Sequence, residues 1–348
     1  MFKFNQRKNK RKNDERSFLL RNVLLAMVIA LTGIVGVLVF TVQHQQPEQY
    51  AYTAYDFYNE GRRAYVQQNY GIAIAHFTSA IELDAEYDRA YYYRAVSYYR
   101  LENFDAAIDD YTWIIENGSY SLVYDTLVNR GRAYRSLGNY DAAFVDFDEA
   151  VELDPDEAYA YRARSYAYGQ LEQFEQALIE VERAIELNPY DPEFYNGRGR
   201  YHYNLGNLDL ALADYNYAIE LDSDTYNAYN NRGYLRANSG DYEAAIPDYD
   251  RAIELYPEFA YAYNNRAYAN FRLGNMETVF DDYARSIELD SSNPEVFHNR
   301  GITYYELGIE YYDLAIADYE TYADLEGEFE PFMQEQIEEM QSALDRQE

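Results

Sequence analysis

No cysteine occurs anywhere in this chain of 348 residues, which excludes disulfides, thiolate metal sites and a lipid anchor attached at cysteine. Tryptophan occurs once. The four histidines, His44, His76, His202 and His298, are scattered and form no H-E-x-x-H pair, so a zinc hydrolase has no ligands here. Lysine is absent after Lys12, and every later cation is Arg. A phosphate-binding loop is missing too: Gly197-Arg198-Gly199 has no strand before it and sits inside a helical pattern. Carboxylates are so abundant that paired ones diagnose nothing. The sequon Asn117-Gly118-Ser119 matters only in a eukaryotic secretory route. These absences leave no catalytic constellation, no cofactor site and no metal site, and the chain is expected not to be an enzyme.

What the chain does have is a period. Asn231-Arg232-Gly233 recurs as Asn265-Arg266-Ala267 and as Asn299-Arg300-Gly301, 34 residues apart each time. In that register eight copies run 54–87, 88–121, 124–157, 158–191, 192–225, 226–259, 260–293 and 294–327. Each holds two amphipathic stretches around a turn such as Gly206-Asn207 or Gly240-Asp241, which predicts a helix pair per copy. Ala recurs at one internal slot (Ala73, Ala107, Ala143, Ala177, Ala211, Ala245, Ala315, with Val279 the exception), and Pro155, Pro189 and Pro257 close second helices. Tyr makes up 43 residues, read mainly as filling between copies, each hydroxyl needing a partner or water. One helix pair cannot bury its apolar face alone, so stacking must do it. A last helix, 331–346, carries Met333, Ile337, Met340 and Leu344 on one stripe and is expected to cap the array.

This pattern resembles the tetratricopeptide repeat family over residues 54–327. The resemblance implies an all-α, right-handed superhelical solenoid of about eight helix pairs that binds protein segments on its concave face and needs no cofactor. One slot departs from the family: its Leu before the small residue is Arg in seven copies.

Ahead of the repeats, Val23 to Val42 contains no charge and spans roughly 30 Å as a helix, enough to cross a bilayer. The first 22 residues hold eight basic side chains and two acids, so the positive-inside rule keeps the tail 1–22 cytoplasmic and exports the repeats beyond the linker 43–53. A cleaved signal peptide competes poorly, because the apolar run is long and no A-x-A site follows. The rest of the chain holds 21 Arg against 59 acids, from totals of 29 basic and 61 acidic residues. That charge disfavours nucleic acid and favours basic partners.

Two rows of side chains stand out. Position 7 of each copy is Arg94, Arg130, Arg164, Arg198, Arg232, Arg266 and Arg300, and an antiparallel hairpin sets each opposite Asp110, Asp146, Glu180, Asp214, Asp248, Asp282 and Asp318. In the first copy the pair becomes Glu60 with His76. These are expected to be bidentate ion pairs locking helix to helix. The second row is Asn59, Asn129, Asn231, Asn265 and Asn299, with Asn230, Asn264 and His298 one place before. Asn costs roughly 0.6 kcal/mol against Ala in a helix, so its recurrence invites a reason. The family resemblance implies one: amides that hold an extended peptide. Duplication of an ancestral copy explains the row equally well. Tyr55, Tyr58, Tyr92 and Tyr93 with Arg62 and Arg132 form a further aromatic candidate, for which packing is the favoured reading. The expected function is a single-pass, membrane-anchored interaction scaffold; the alternative is a structural spacer or self-associating component without a peptide ligand.

Overall fold

The computed structural model describes residues 52–327 and 331–346. Over that range the chain is a run of antiparallel helix hairpins. They are α1 Ala54–Val66, α2 Tyr70–Leu83, α3 Asp88–Arg100, α4 Phe104–Asn117, α5 Tyr120–Ser136, α6 Tyr140–Leu153, α7 Ala158–Gln170 and α8 Phe174–Leu187. The run continues with α9 Pro192–Asn204, α10 Leu208–Leu221, α11 Tyr226–Asn238, α12 Tyr242–Leu255, α13 Ala260–Arg272, α14 Val279–Leu289, α15 Pro294–Leu307 and α16 Tyr312–Glu326. The helix α17, Pro331–Asp345, follows. No strand occurs among the described residues. No described helix is long and apolar enough to cross a membrane, and the segment 23–42 expected to do so lies outside the described residues.

Local chemistry sets the helix ends. Asn103, Asn139 and Asp241 each accept a hydrogen bond from the backbone N–H three residues on, capping α4, α6 and α12. Between paired helices Gly206 and Gly240 take φ of +77° and +87°, the left-handed region where a side chain is disfavoured. The closing prolines have a second use. The hydroxyls of Tyr161, Tyr195 and Tyr263 donate to the carbonyls of Pro155, Pro189 and Pro257 at 3.3, 3.1 and 3.2 Å, tying each turn to the next hairpin.

The aromatic filling differs from expectation. Its largest rings lie within a hairpin rather than only between hairpins. Phe147 is fully buried, and a methyl group placed on Gly131 of the facing helix would come within 2.5 Å of its ring. Gly61 with Phe77, Gly199 with Tyr215, Gly233 with Tyr249 and Gly301 with Tyr319 repeat the arrangement. The small residue is there because the ring occupies the space of its side chain. The fourth hairpin has Val181 instead of a ring, and Tyr201 of the next hairpin fills the gap, its ring against Gly169 and its hydroxyl 3.1 Å from Ser165.

All seven Arg–acid pairs form. Six are two-pronged, Nε and one terminal nitrogen each donating to a carboxylate oxygen at 2.6–3.0 Å. Arg164 is the exception. It gives one nitrogen to Glu180 and the other to Asp148. Asp318 stands 18 residues beyond Arg300, where the other hairpins use 16, because the one-turn 3-10 helix Ile309–Tyr311 lengthens the connection. The expected Glu60–His76 pair does not form: Glu60 accepts from Arg63 one turn away, and the His76 ring lies 6.2 Å from that of Phe57. The Arg row also reaches backward. The remaining terminal nitrogen of Arg94, Arg130, Arg232 and Arg266 donates to Thr78, Thr112, Asn216 and Asp250 on the preceding hairpin. Each such guanidinium therefore ties three helices together.

Each first helix of a hairpin touches the first helix of the next, whereas no second helix touches the next second helix. The stack must therefore curve toward the odd-numbered helices, α1 to α15, which line its concave face. At the far end α17 covers the last hairpin. Met333 and Met340 are fully buried there, Tyr319 donates to Gln336 at 2.8 Å and Tyr305 to Glu339 at 2.9 Å.

Candidate functional site

The asparagines on the concave face bond mainly to one another. Asn231 donates to Asn196 at 2.9 Å, Asn265 to Asn230 at 3.1 Å and Asn299 to Asn264 at 3.2 Å, each bond joining one hairpin to the preceding one. Asn264 also donates to Asn265 at 3.4 Å. Asn230 and Asn264 are buried. Asn129 uses its amide on the Tyr92 hydroxyl at 3.1 Å. Asn59 stands apart on α1, lining an open hollow with Arg62, Arg63, Val66 and Gln67. His298 is half-buried near the cap, 4.0 Å from Glu295 and with its ring 5.7 Å from that of Phe332. The row thus supplies an amide ladder between hairpins. Its partner Asn196 stands 34 residues before Asn230, in the slot shared by Asn230 and Asn264, so the period itself could have found it.

The aromatic cluster expected near the first hairpin is divided by the fold. Tyr58 is buried against Phe77, Tyr87 and Tyr93, and Arg62 lies over the Tyr93 ring at 4.5 Å, so these side chains pack. Tyr55 is exposed. Tyr92 instead joins Asn129 and Arg132 in a cleft of about 470 Å³ on the concave side of α3, α5 and α7.

That cleft brings in residues that the repeat register does not single out: Tyr124, Asp125, Arg135, Tyr159, Arg162 and Tyr166. The guanidiniums of Arg135 and Arg200 both stand on the Tyr166 ring, at 4.3 and 4.7 Å from its centroid, and Arg132 lies 5.6 Å from the Tyr99 centroid. Among the described residues none of these three arginines meets a carboxylate within 4.0 Å, whereas Arg162 lies 3.6 Å from Glu193. The Arg135 Nε is buried without any hydrogen-bond partner. Burial pulls the Arg135 guanidinium below its ordinary value, the Tyr99 and Tyr166 rings oppose this, and Arg132 adds to the lowering. Burial likewise pushes the Tyr92 hydroxyl up to about 12 and raises the Asp125 carboxyl. The signal that could have found the cleft is the helical spacing of Arg132 with Arg135 and of Arg162 with Tyr166. Among the described residues no group of three His, Asp or Glu side chains is arranged to hold a metal ion.

The buried acids carry a pH dependence. Burial raises Asp110, Asp318, Asp125 and Glu193 above ordinary carboxylate values, despite Arg94, Arg300 and Arg162 pulling the first, second and fourth down. A group raised in the folded state binds protons more readily there, so its unfolding free energy grows as pH falls through the raised value. Asp56 and Glu295 are lowered, by Thr53 and His298 respectively, and act in the opposite sense nearer the ordinary carboxylate range. Relief of the acidic self-repulsion reinforces the first group. The melting temperature of the full chain, followed by circular dichroism, is therefore expected to rise as the pH is lowered from neutrality toward the ordinary carboxylate range, about 4. A fall over that interval would contradict the assignment.

Comparison with known proteins agrees with this architecture. Tetratricopeptide repeat profiles match residues 124–157 and 226–259, and residues 58–121 and 162–228, together more than half of the chain. Heat shock protein STI1 of Saccharomyces cerevisiae is 33% identical over 104 residues, 29% of this chain and 17% of that protein, so the match spans about a sixth of that relative's length. The crystal structure of the APC/C hetero-tetramer Cut9-Hcn1 superposes with a TM-score of 0.65 at 17% identity, over 82% of this chain and 55% of that one. A tetratricopeptide repeat protein from Parabacteroides merdae gives a TM-score of 0.56 at 17% identity, over 73% and 98%. At such identities the likeness to the two structures is one of fold. The period, the stacked hairpins and the matched profiles place this chain in the tetratricopeptide repeat family, whose members generally mediate protein–protein interactions and scaffolding.

Proposed function

We propose that this chain is a membrane-anchored scaffold whose concave face holds segments of partner proteins outside the cytoplasm. The cleft on α3, α5 and α7 carries the reading. It is open to solvent, wide enough for several side chains, and lined by tyrosine faces with arginines between them. Tyr159 and Tyr166 keep 47% and 37% of their surface exposed there, which gives a partner apolar area to cover. The anchoring half rests on sequence alone: the uncharged run Val23 to Val42 behind eight basic residues. The Asn ladder supports the groove by fixing one hairpin against the next, which leaves Asn59 as the asparagine of the row with no side-chain bond in the structure.

The absence of cysteine makes the test direct. Tyr159→Cys on the concave side and Ile179→Cys on the exposed convex side each introduce a single thiol. Treated on intact cells with a membrane-impermeant maleimide crosslinker, both thiols are expected to react, and Tyr159→Cys alone to capture a partner. Unreactive thiols in intact cells would reject the orientation. Equal capture from both positions, or none from either, would reject the groove and favour a spacer.

A further inference from the structure

We infer that the cleft on α3, α5 and α7, with Arg200 of α9 standing on its Tyr166 ring, binds a short acidic peptide motif through the peptide's side-chain carboxylates. The inference deepens the groove reading above and rests on it.

The charge pattern points this way. Beyond residue 22 the chain holds 59 acids against 21 arginines, and the seven arginines of the repeat row each have an acid. Arg135 and Arg200 depart from that rule where it should be hardest to break. Both are partly buried, both stand on the ring of Tyr166, and among the described residues neither has a carboxylate partner. Among the described residues Arg89 and Arg100 also form no ion pair, but they are exposed and water suffices for them. A buried cation without a counter-ion is expensive, and tyrosine faces offset only part of that cost. The Arg135 Nε is buried and, among the described residues, without an acceptor, so no neighbouring group offsets the charge at that nitrogen. Guanidinium forks match carboxylates in two-pronged geometry, and a ring beneath each fork holds it flat for that contact.

The number of charges selects the occupant. Arg132, Arg135 and Arg200 together exceed what one chain-terminal carboxylate can neutralise, so adjacent Asp or Glu side chains fit better. The acids already nearby do not fill the role: Glu193 reaches Arg162 at 3.6 Å, and Asp125 makes no ion pair. The acidic surface around the cleft repels a long polyanion, so the motif must be short and flanked by neutral or basic residues. Basic partners, the expectation from total charge, thus suit the outer surface but not this cleft.

The test uses the full chain and end-blocked fluorescent peptides followed by anisotropy. One contains Glu-Glu-Asp between Gly and Ser residues; a second replaces the acids with Gln and Asn; a third is neutral with a free terminal carboxylate; a fourth carries lysines. The acidic blocked peptide is expected to bind at least about tenfold more tightly than the other three, the scale of one lost charged hydrogen bond. Arg135→Gln and Arg200→Gln should each weaken it by about tenfold, and Arg89→Gln should leave it unchanged. Should circular dichroism show either variant unfolded, Arg132→Gln, exposed and free of ion pairs, takes its place. Equal binding of acidic and Gln/Asn peptides, equal loss with Arg89→Gln, or binding that follows the free terminus would overturn the inference. Preference for the lysine peptide would also overturn it while leaving the groove intact. Failure of every peptide, together with no capture at Tyr159→Cys, would bring down the groove itself.

Discussion

Arg130→Ala is expected to destabilise the solenoid by about 3–5 kcal/mol, the range for removing one partner of a buried pair. Its fork holds both oxygens of Asp146, whose side chain keeps only 2% of its surface exposed, and among the described residues no other cation reaches that carboxylate. The same substitution at Arg232 is expected to cost less, because Arg236 also donates to Asp248 at 2.8 Å and would go on neutralising it. Urea unfolding followed by circular dichroism measures both. Adding Asp146→Ala to Arg130→Ala should cost little more, since the stranded charge leaves with it. Additive losses in that double variant, or equal losses at Arg130 and Arg232, would show that the ion pair is not what holds these hairpins.

Phe147→Ala is expected to cost a similar amount, about 3–5 kcal/mol, by a different route. The ring is fully buried, and the hairpin has been built around it: Gly131 leaves no side chain to relax into the space. Stability in a stacked array is approximately a sum over hairpins and the interfaces between neighbours. A cavity in the third hairpin should therefore uncouple the first two from the remainder. Trp113, the single tryptophan, reports on that side, stacked 3.8 Å from Tyr91 in the second hairpin. In Phe147→Ala its fluorescence transition should separate from the circular dichroism transition of the whole chain. Coincident transitions at the wild-type midpoint would refute the packing argument.

Much of the fold was legible because its causes are local or recur at a fixed step. A period of 34 residues, two helical stretches per copy, and turns at Gly206 and Gly240 all follow from chemistry within one copy, whereas the rings expected between copies proved to fill the hairpins themselves. The Arg–acid row was legible for the same reason: an antiparallel hairpin brings residues about 16 apart into register whatever the neighbouring copies do. The Glu60–His76 pair failed because Arg63 offers Glu60 a partner one helical turn away.

The Asn row could be seen but not interpreted. Its bonds run from Asn231, Asn265 and Asn299 to Asn196, Asn230 and Asn264, 35 residues earlier, and that offset follows from how far each hairpin is turned against the last. The arginine cleft was less legible still. Arg132, Arg135, Arg162 and Arg200 come from three hairpins; Arg132 and Arg200 share one slot of the repeat, but Tyr166 holds that slot in the copy between them and the other two arginines stand elsewhere, so the repeat alone does not gather them. The sequence by itself determined the helix pairs, their number and the seven Arg–acid pairs, because these depend on contacts inside one repeating unit. Tertiary structure alone decided which amides satisfy one another and which cations are left unmatched. Those outcomes depend on the rotation between units, a quantity that no single copy encodes.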